Sequence, residues 1–109
     1  MSKISILTPT RGRPGGLDRF IDSACSLAND PDNLQFLVYL DRDDPSLESY
    51  KDIGEIDHII ISDRIIMSNM VNKLYPYCTG DIIMLGADDL VIRTESWDQI
   101  YREAFNDRS

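Results

Sequence analysis

Four short apolar runs, at residues 4–8, 34–40, 58–62 and 81–85, are the strongest constraint on how this chain folds. Each is rich in Ile, Leu or Val and nearly continuous, which suits strands covered on both faces, as in a parallel sheet. Amphipathic patterns fill the gaps. In residues 16–29 the apolar positions Leu17, Phe20, Ile21, Ala24, Cys25 and Ala28 fall on one helical face. Met67, Met70, Val71, Leu74 and Cys78 repeat the pattern, with Pro76 expected to end that helix early. Trp97, Ile100, Tyr101, Ala104 and Phe105 repeat it again, after Thr94 or Ser96 as N-cap. A weaker helix is expected over residues 45–53. Strand–helix alternation of this kind predicts an α/β three-layer sandwich with a mostly parallel sheet of about four strands. At 109 residues, one domain spanning 1–109 is expected.

In open sheets of this class ligands sit beyond the carboxyl ends of the strands, so the residues found there carry the functional argument. Thr8-Pro9-Thr10-Arg11-Gly12-Arg13 follows the first strand and Asp41-Arg42-Asp43-Asp44 the second. Ser62-Asp63-Arg64 follows the third and Gly86-Ala87-Asp88-Asp89 the fourth. Adjacent carboxylates repel unless a positive group lies between them, and the apolar strand before Asp88 and Asp89 adds desolvation. A hard divalent cation shared with ligand phosphates would relieve both; an ordinary turn is the competing explanation. The first loop lacks the spacing of a triphosphate-binding loop and of a dinucleotide fingerprint. It retains two Arg for phosphates and two Thr hydroxyls for a base or ribose edge. Asp41 is suited to accept from a base N–H or a ribose hydroxyl, whereas Asp43 and Asp44 suit capping of the next helix.

Charge excludes one large class of partner. The chain carries 19 acidic against 11 basic residues, a net −8, which disfavours nucleic acid, whose binding depends on Lys and Arg neutralising phosphates. No run approaches the ~20 apolar residues of a membrane span. Two cysteines, Cys25 and Cys78, without disulfide or metal spacing, suit a reducing, cytoplasmic setting and read as packing residues. Met67, Met70, Met84 and Trp97 read as core, and His58 as the residue that opens the third strand. Asp98 is the best remaining carboxylate for a general base. Arg64 is placed to reach a diphosphate or to lie in solvent, and Arg93 has a weaker case of the same kind.

These motifs, in this order, resemble the nucleotide-sugar-binding half of GT-A-fold glycosyltransferases, especially family 2. The resemblance rests on the Thr8-Pro9-Thr10-Arg11-Gly12-Arg13 loop, Asp41 at the end of the second strand and Asn72 eight residues before Gly80. It continues through Gly80-Asp81 and an apolar strand to Gly86-Ala87-Asp88-Asp89, in the place of an Asp-x-Asp-Asp-like metal motif. It implies a nucleoside diphosphate sugar donor, namely a UDP-sugar, and Mn2+ or Mg2+ held by Asp88 and Asp89. Thr8, Pro9, Thr10, Arg11, Arg13, Asp41, Arg64, Asn72 and Asp88 would then contact the nucleotide or diphosphate. By the same resemblance transfer to an acceptor would be an inverting hexosyl transfer. Two departures stand out: Gly86 replaces the first carboxylate of the metal motif, and the family's acceptor-binding region and general base have no counterpart here. A domain that binds a nucleotide sugar without transferring it is therefore the first alternative, and a nucleotidyltransferase-like phosphate enzyme the second. Pairing of two copies would cover a sheet edge left open by so few strands.

Overall fold

The computed structural model describes residues 2–106. Strands β1 (Ile4–Thr10), β2 (Leu34–Asp41), β3 (His58–Ser62) and β4 (Ile82–Leu85) form one all-parallel sheet in the order β3-β2-β1-β4. Helices α1 (Pro14–Leu27), α2 (Leu47–Tyr50), α3 (Met67–Leu74) and α4 (Trp97–Asn106) connect and cover it. The result is a single compact α/β domain with helices on both faces.

Alternation along the central strands sorts side chains between the two faces. Ile4 and Ile6 of β1 and Leu34, Phe36, Val38 and Leu40 of β2 pack under Leu17, Phe20, Ile21 and Ala24 of α1. Leu7, Leu37 and Tyr39 face the other way, onto Leu74 of α3. Every residue of β2 is buried, as expected of a strand covered on both sides. The edge strands depart from that expectation. β4 buries Ile82 on the α1 face, but Ile83 and Leu85 on the α3 face are 39% and 58% exposed, because α3 sits over β1 and β2 and leaves β4 bare.

Helix α3 ends early, as expected of Pro76, whereas other positions on α3 and α4 depart from the sequence pattern. Pro76 stops α3 at Leu74, and a 3-10 turn over Tyr75–Tyr77 replaces the last turn. Met67 is 65% exposed at the start of α3, a correction to its assignment to the core, while Met70 and Met84 are partly buried. In α4 the expected apolar stripe is only partly used. Trp97 is buried and donates its indole N–H to the Ala24 carbonyl, but Ile100, Tyr101 and Phe105 are exposed. The helix buries Asp98 and Arg102 instead, one turn apart. Cys25 and Cys78 are free thiols, and burial pushes both upward from the ordinary thiol range, as suits packing residues.

Candidate functional site

The carboxyl ends of β1 and β2 and the segments after β3 and β4 enclose a cleft of about 360 Å3. Pro9, Thr10 and Arg11 form one wall, and Asp41, Arg64 and Asp88 line it from the other strand ends. Ile65, Met67 and Met70 add an apolar side from the start of α3. Six of the residues singled out from sequence thus meet in one place. Met67 and Ile65 were missed as site residues, since helical spacing shows only that Met67 is apolar and not that it lies at an open helix end.

A directed hydrogen-bond chain holds Asp88 in this cleft. Thr10 Oγ1 donates to Asp88 Oδ2 at 2.6 Å. Because that hydroxyl proton is committed, the 3.1 Å contact between Thr10 Oγ1 and Tyr50 Oη places the tyrosine proton on Thr10. Tyr50 Oη in turn accepts the Arg13 backbone N–H at 3.0 Å. The chain runs Arg13 N–H to Tyr50 to Thr10 to Asp88, and Arg13 Nε lies 3.9 Å from the other Asp88 oxygen. Burial raises the Tyr50 hydroxyl above its ordinary value, outweighing its bonds to Thr10 and Arg13, so it stays protonated. No motif marks Tyr50, whose role follows only from the position of the short helix α2.

The first loop owes its shape to Gly12, in the left-handed region at φ +64, and to Asp44. Asp44 accepts the Gly12 N–H at 2.7 Å and the Ser46 N–H at 2.8 Å, tying the loop to the chain after β2. Pro14 then opens α1 at a position where its missing N–H costs nothing. A Cβ on Gly16 would overlap the Asp88 carbonyl oxygen, so α1 and the segment after β4 meet at a contact only glycine allows.

Arg11 Nη1 lies between two carboxylates, 3.0 Å from Asp41 Oδ2 and 2.8 Å from Asp43 Oδ1. Its hydrogen bond holds the Asp43 carboxyl below its ordinary range, and the two aspartates hold the guanidinium above its own. Asp43 thus pairs with Arg11 rather than capping α2. Asp41 is 2% exposed, and its second oxygen, Oδ1, has no hydrogen-bond partner among the described residues. Buried acceptors are rarely left in this state, and this one belongs to a residue of the cleft lining.

Other sequence-derived candidates lie elsewhere. Thr8 is buried beneath the cleft beside Gly86 and supports rather than lines it. Asn72 faces a separate cavity with Ile60, Lys73 and Tyr77, away from the strand ends. Asp89 is exposed and borders a neighbouring groove with Asp88. Arg93 is exposed, beyond the cleft. Asp98 lies at the opposite, amino end of the sheet, fully buried, accepting the N–H groups of Asn29 and Asp30 and pairing with Arg102. Its oxygens are filled by the protein itself, so the structure does not bring it to the chemistry expected of it.

The donor set for a divalent cation is small. Asp88 already accepts from Thr10, Asp89 stands in solvent, and no group of three or more His, Cys, Asp or Glu side chains gathers among the described residues. At position 86 a Cβ would overlap Thr8 Oγ1, so the fold closes the place where a third carboxylate would stand. Two carboxylates suit a cation that arrives with phosphates to complete its shell, rather than one held by protein alone.

No family model matches the chain, and no curated protein matches it. Among solved structures, it is similar to TarS from S. aureus, resolved over residues 1–349, with a TM-score of 0.67 and 17% sequence identity. The match covers 97% of this chain and 32% of that one, so the chain spans about a third of the length of the structure it resembles. At this identity the likeness speaks for the fold alone. Among the described residues no helix is long and apolar enough to cross a membrane.

Proposed function

We propose that the cleft is the donor site of a glycosyltransferase and takes a nucleoside diphosphate sugar, specifically a UDP-sugar. The observation that carries this reading is Asp41, a buried residue of the cleft lining whose Oδ1 has no hydrogen-bond partner among the described residues. A uracil offers an imide N–H to such an acceptor, whereas the equivalent ring nitrogen of cytosine carries no proton. Arg11 and Arg64 line the same cleft and Arg13 approaches Asp88, which supplies positive charge for a diphosphate. The fold's likeness to TarS, a GT-A-type glycosyltransferase, supports the same class.

Asp88 and Asp89 would hold Mn2+ or Mg2+ together with the diphosphate. A cation there would supply Lewis-acid charge to the leaving phosphate. The chain's own residues have separate tasks: Asp41 orients the base, the arginines carry phosphate charge, and the Tyr50–Thr10 chain keeps Asp88 turned into the cleft. Because two carboxylates make a poor ion site alone, Mn2+ is expected to bind weakly to the free protein and at least about tenfold more tightly with UDP present. Titration calorimetry in both orders measures this; equal Mn2+ affinity with and without UDP removes the shared-shell arrangement.

The same calorimetry tests the donor site itself. Asp41→Ala is expected to weaken UDP binding by about tenfold or more, since a base–carboxylate bond of ~1.5–3 kcal/mol is lost. CDP is expected to bind the native protein about tenfold less tightly than UDP. Indifference to both changes, in a variant with native far-UV dichroism, sinks the reading. One observation favours a binding domain without transfer: Asp98 is locked at the far end of the sheet. Slow UDP-sugar hydrolysis, lost in Asp88→Asn, separates an enzyme from a binding module.

A further inference from the structure

A second cavity, of about 230 Å3, opens between α3 and β4 and shares Pro9, Met67 and Asp88 with the cleft. Its character is different. Val71, Leu85 and Ala87 make its new walls apolar, and Asp88 and Asp89 stand at one end. Arg11 and Arg64 line the first cleft, but no cationic side chain is among the described residues lining the second. Cationic side chains are thus confined to the cleft, and the adjoining cavity offers an anion no partner of its own.

We infer that this second cavity receives the acceptor, a neutral hydroxyl compound with an apolar body, its hydroxyl turned toward the end that adjoins the cleft. The inference rests on the donor reading of the adjoining cleft. Three features point to this occupant. The cavities meet at Asp88, so ligands in both would lie side by side. Apolar walls suit a hydrocarbon surface, and a phosphate finds no cationic side chain among the described lining residues. The volume is below the ~300–1,000 Å3 usual for a whole ligand, so it seats one end of a molecule. Leu85, 58% exposed at the open edge of the sheet, lets the remainder extend into solvent.

Methyl NMR on the native protein, with hexyl β-glucoside as the neutral probe and glucose 1-phosphate as the anionic one, tests this directly. Hexyl glucoside is expected to shift the Val71, Leu85 and Met67 methyls, and glucose 1-phosphate to leave Val71 and Leu85 unmoved. Leu85→Lys, at an exposed position outside the donor cleft, is expected to weaken hexyl glucoside about tenfold and to leave UDP affinity within twofold. Equal response to the two probes overturns the inference. So does UDP binding with no hexyl glucoside at Val71 and Leu85, which leaves the donor reading intact. The converse result, hexyl glucoside seated at Leu85 with UDP unbound, upholds the cavity's preference for neutral amphiphiles and sinks the donor reading instead.

Discussion

Replacing Asp98 with alanine is expected to lower the unfolding free energy by about 3–5 kcal/mol, the usual result of removing one member of a buried ion pair. Both partners are inside: Asp98 is 0% and Arg102 1% exposed. Asp98 accepts the Asn29 N–H at 2.7 Å and the Asp30 N–H at 2.9 Å, besides its bond from Arg102. Arg102 also donates to the Ser2 carbonyl at 2.6 Å and, more weakly, to the Asp30 and Asn33 carbonyls. The pair therefore joins α4, the chain between α1 and β2, and the segment before β1. Alanine would leave a guanidinium and two amides without their acceptor. Against a total of about 5–15 kcal/mol, that is a large share of the fold's stability. Urea unfolding followed by far-UV dichroism measures it, and a loss below about 1 kcal/mol would contradict the assignment.

The same carboxylate gives a pH dependence of definite sign. Burial pushes the Asp98 carboxyl upward, but the Asn29 and Asp30 N–H groups and Arg102 outweigh it and hold the group below its ordinary value. A group held low in the folded state binds protons more readily when unfolded. Its stabilisation is complete above the unfolded value of about 3.9 and drains away as pH falls through the lower folded value. The native protein is expected to lose stability across that acid range, and Asp98→Asn to show a flatter curve there.

The second large effect is expected at Gly86. A side chain there would overlap Thr8 Oγ1 and come within 2.7 Å of Phe20 Cε2 and 2.9 Å of Ile6 Cγ2. Thr8, Phe20 and Ile6 are all buried, so none can swing into solvent to make room. Gly86→Ala is expected to destabilise by about 1–3 kcal/mol through overpacking. It should also push the following segment outward, loosening Asp88 from Thr10. Gly86→Asp adds a carboxylate facing apolar neighbours, and its expected loss is larger. Restoring the missing acidic residue of the motif would thus weaken Mn2+-assisted UDP binding. Calorimetry and urea unfolding on both variants check this; a Gly86→Asp protein as stable as the native one, with tighter Mn2+ binding, would refute it.

Much of the architecture was legible because β-branched runs and helical spacing are local signals. The expected third strand coincides with β3, and the others differ at their ends, where β1 extends to Thr10 and β2 to Asp41. Covering of the faces was not legible, because it depends on where a helix lands. Nothing local to Ile83 or Leu85 says that α3 stops short of β4. In α4, spacing offered Trp97, Ile100, Tyr101 and Phe105 as one stripe, but the polar contacts of Asp98 and Arg102 set the helix's rotation. The cleft was largely readable from strand-end residues, since a parallel sheet brings those ends together. Asn72 and Asp98 lie on helix positions whose facing is decided by tertiary packing, and the packing turned both elsewhere. Tyr50 and Gly16 act through a hydroxyl reach and a backbone approach, which no residue pattern announces.

The strand order also governs how the molecule behaves in a crowd. Among the described residues β4 is paired on one side only, and Ile83 and Leu85 lie next to that unpaired margin. Bare strand margins flanked by greasy side chains are where proteins zip onto their own kind. Concentrated solutions should therefore scatter more light than a chain of net charge −8 would suggest. Ile83→Lys, which sets like charge against like across any such seam, should keep them clear.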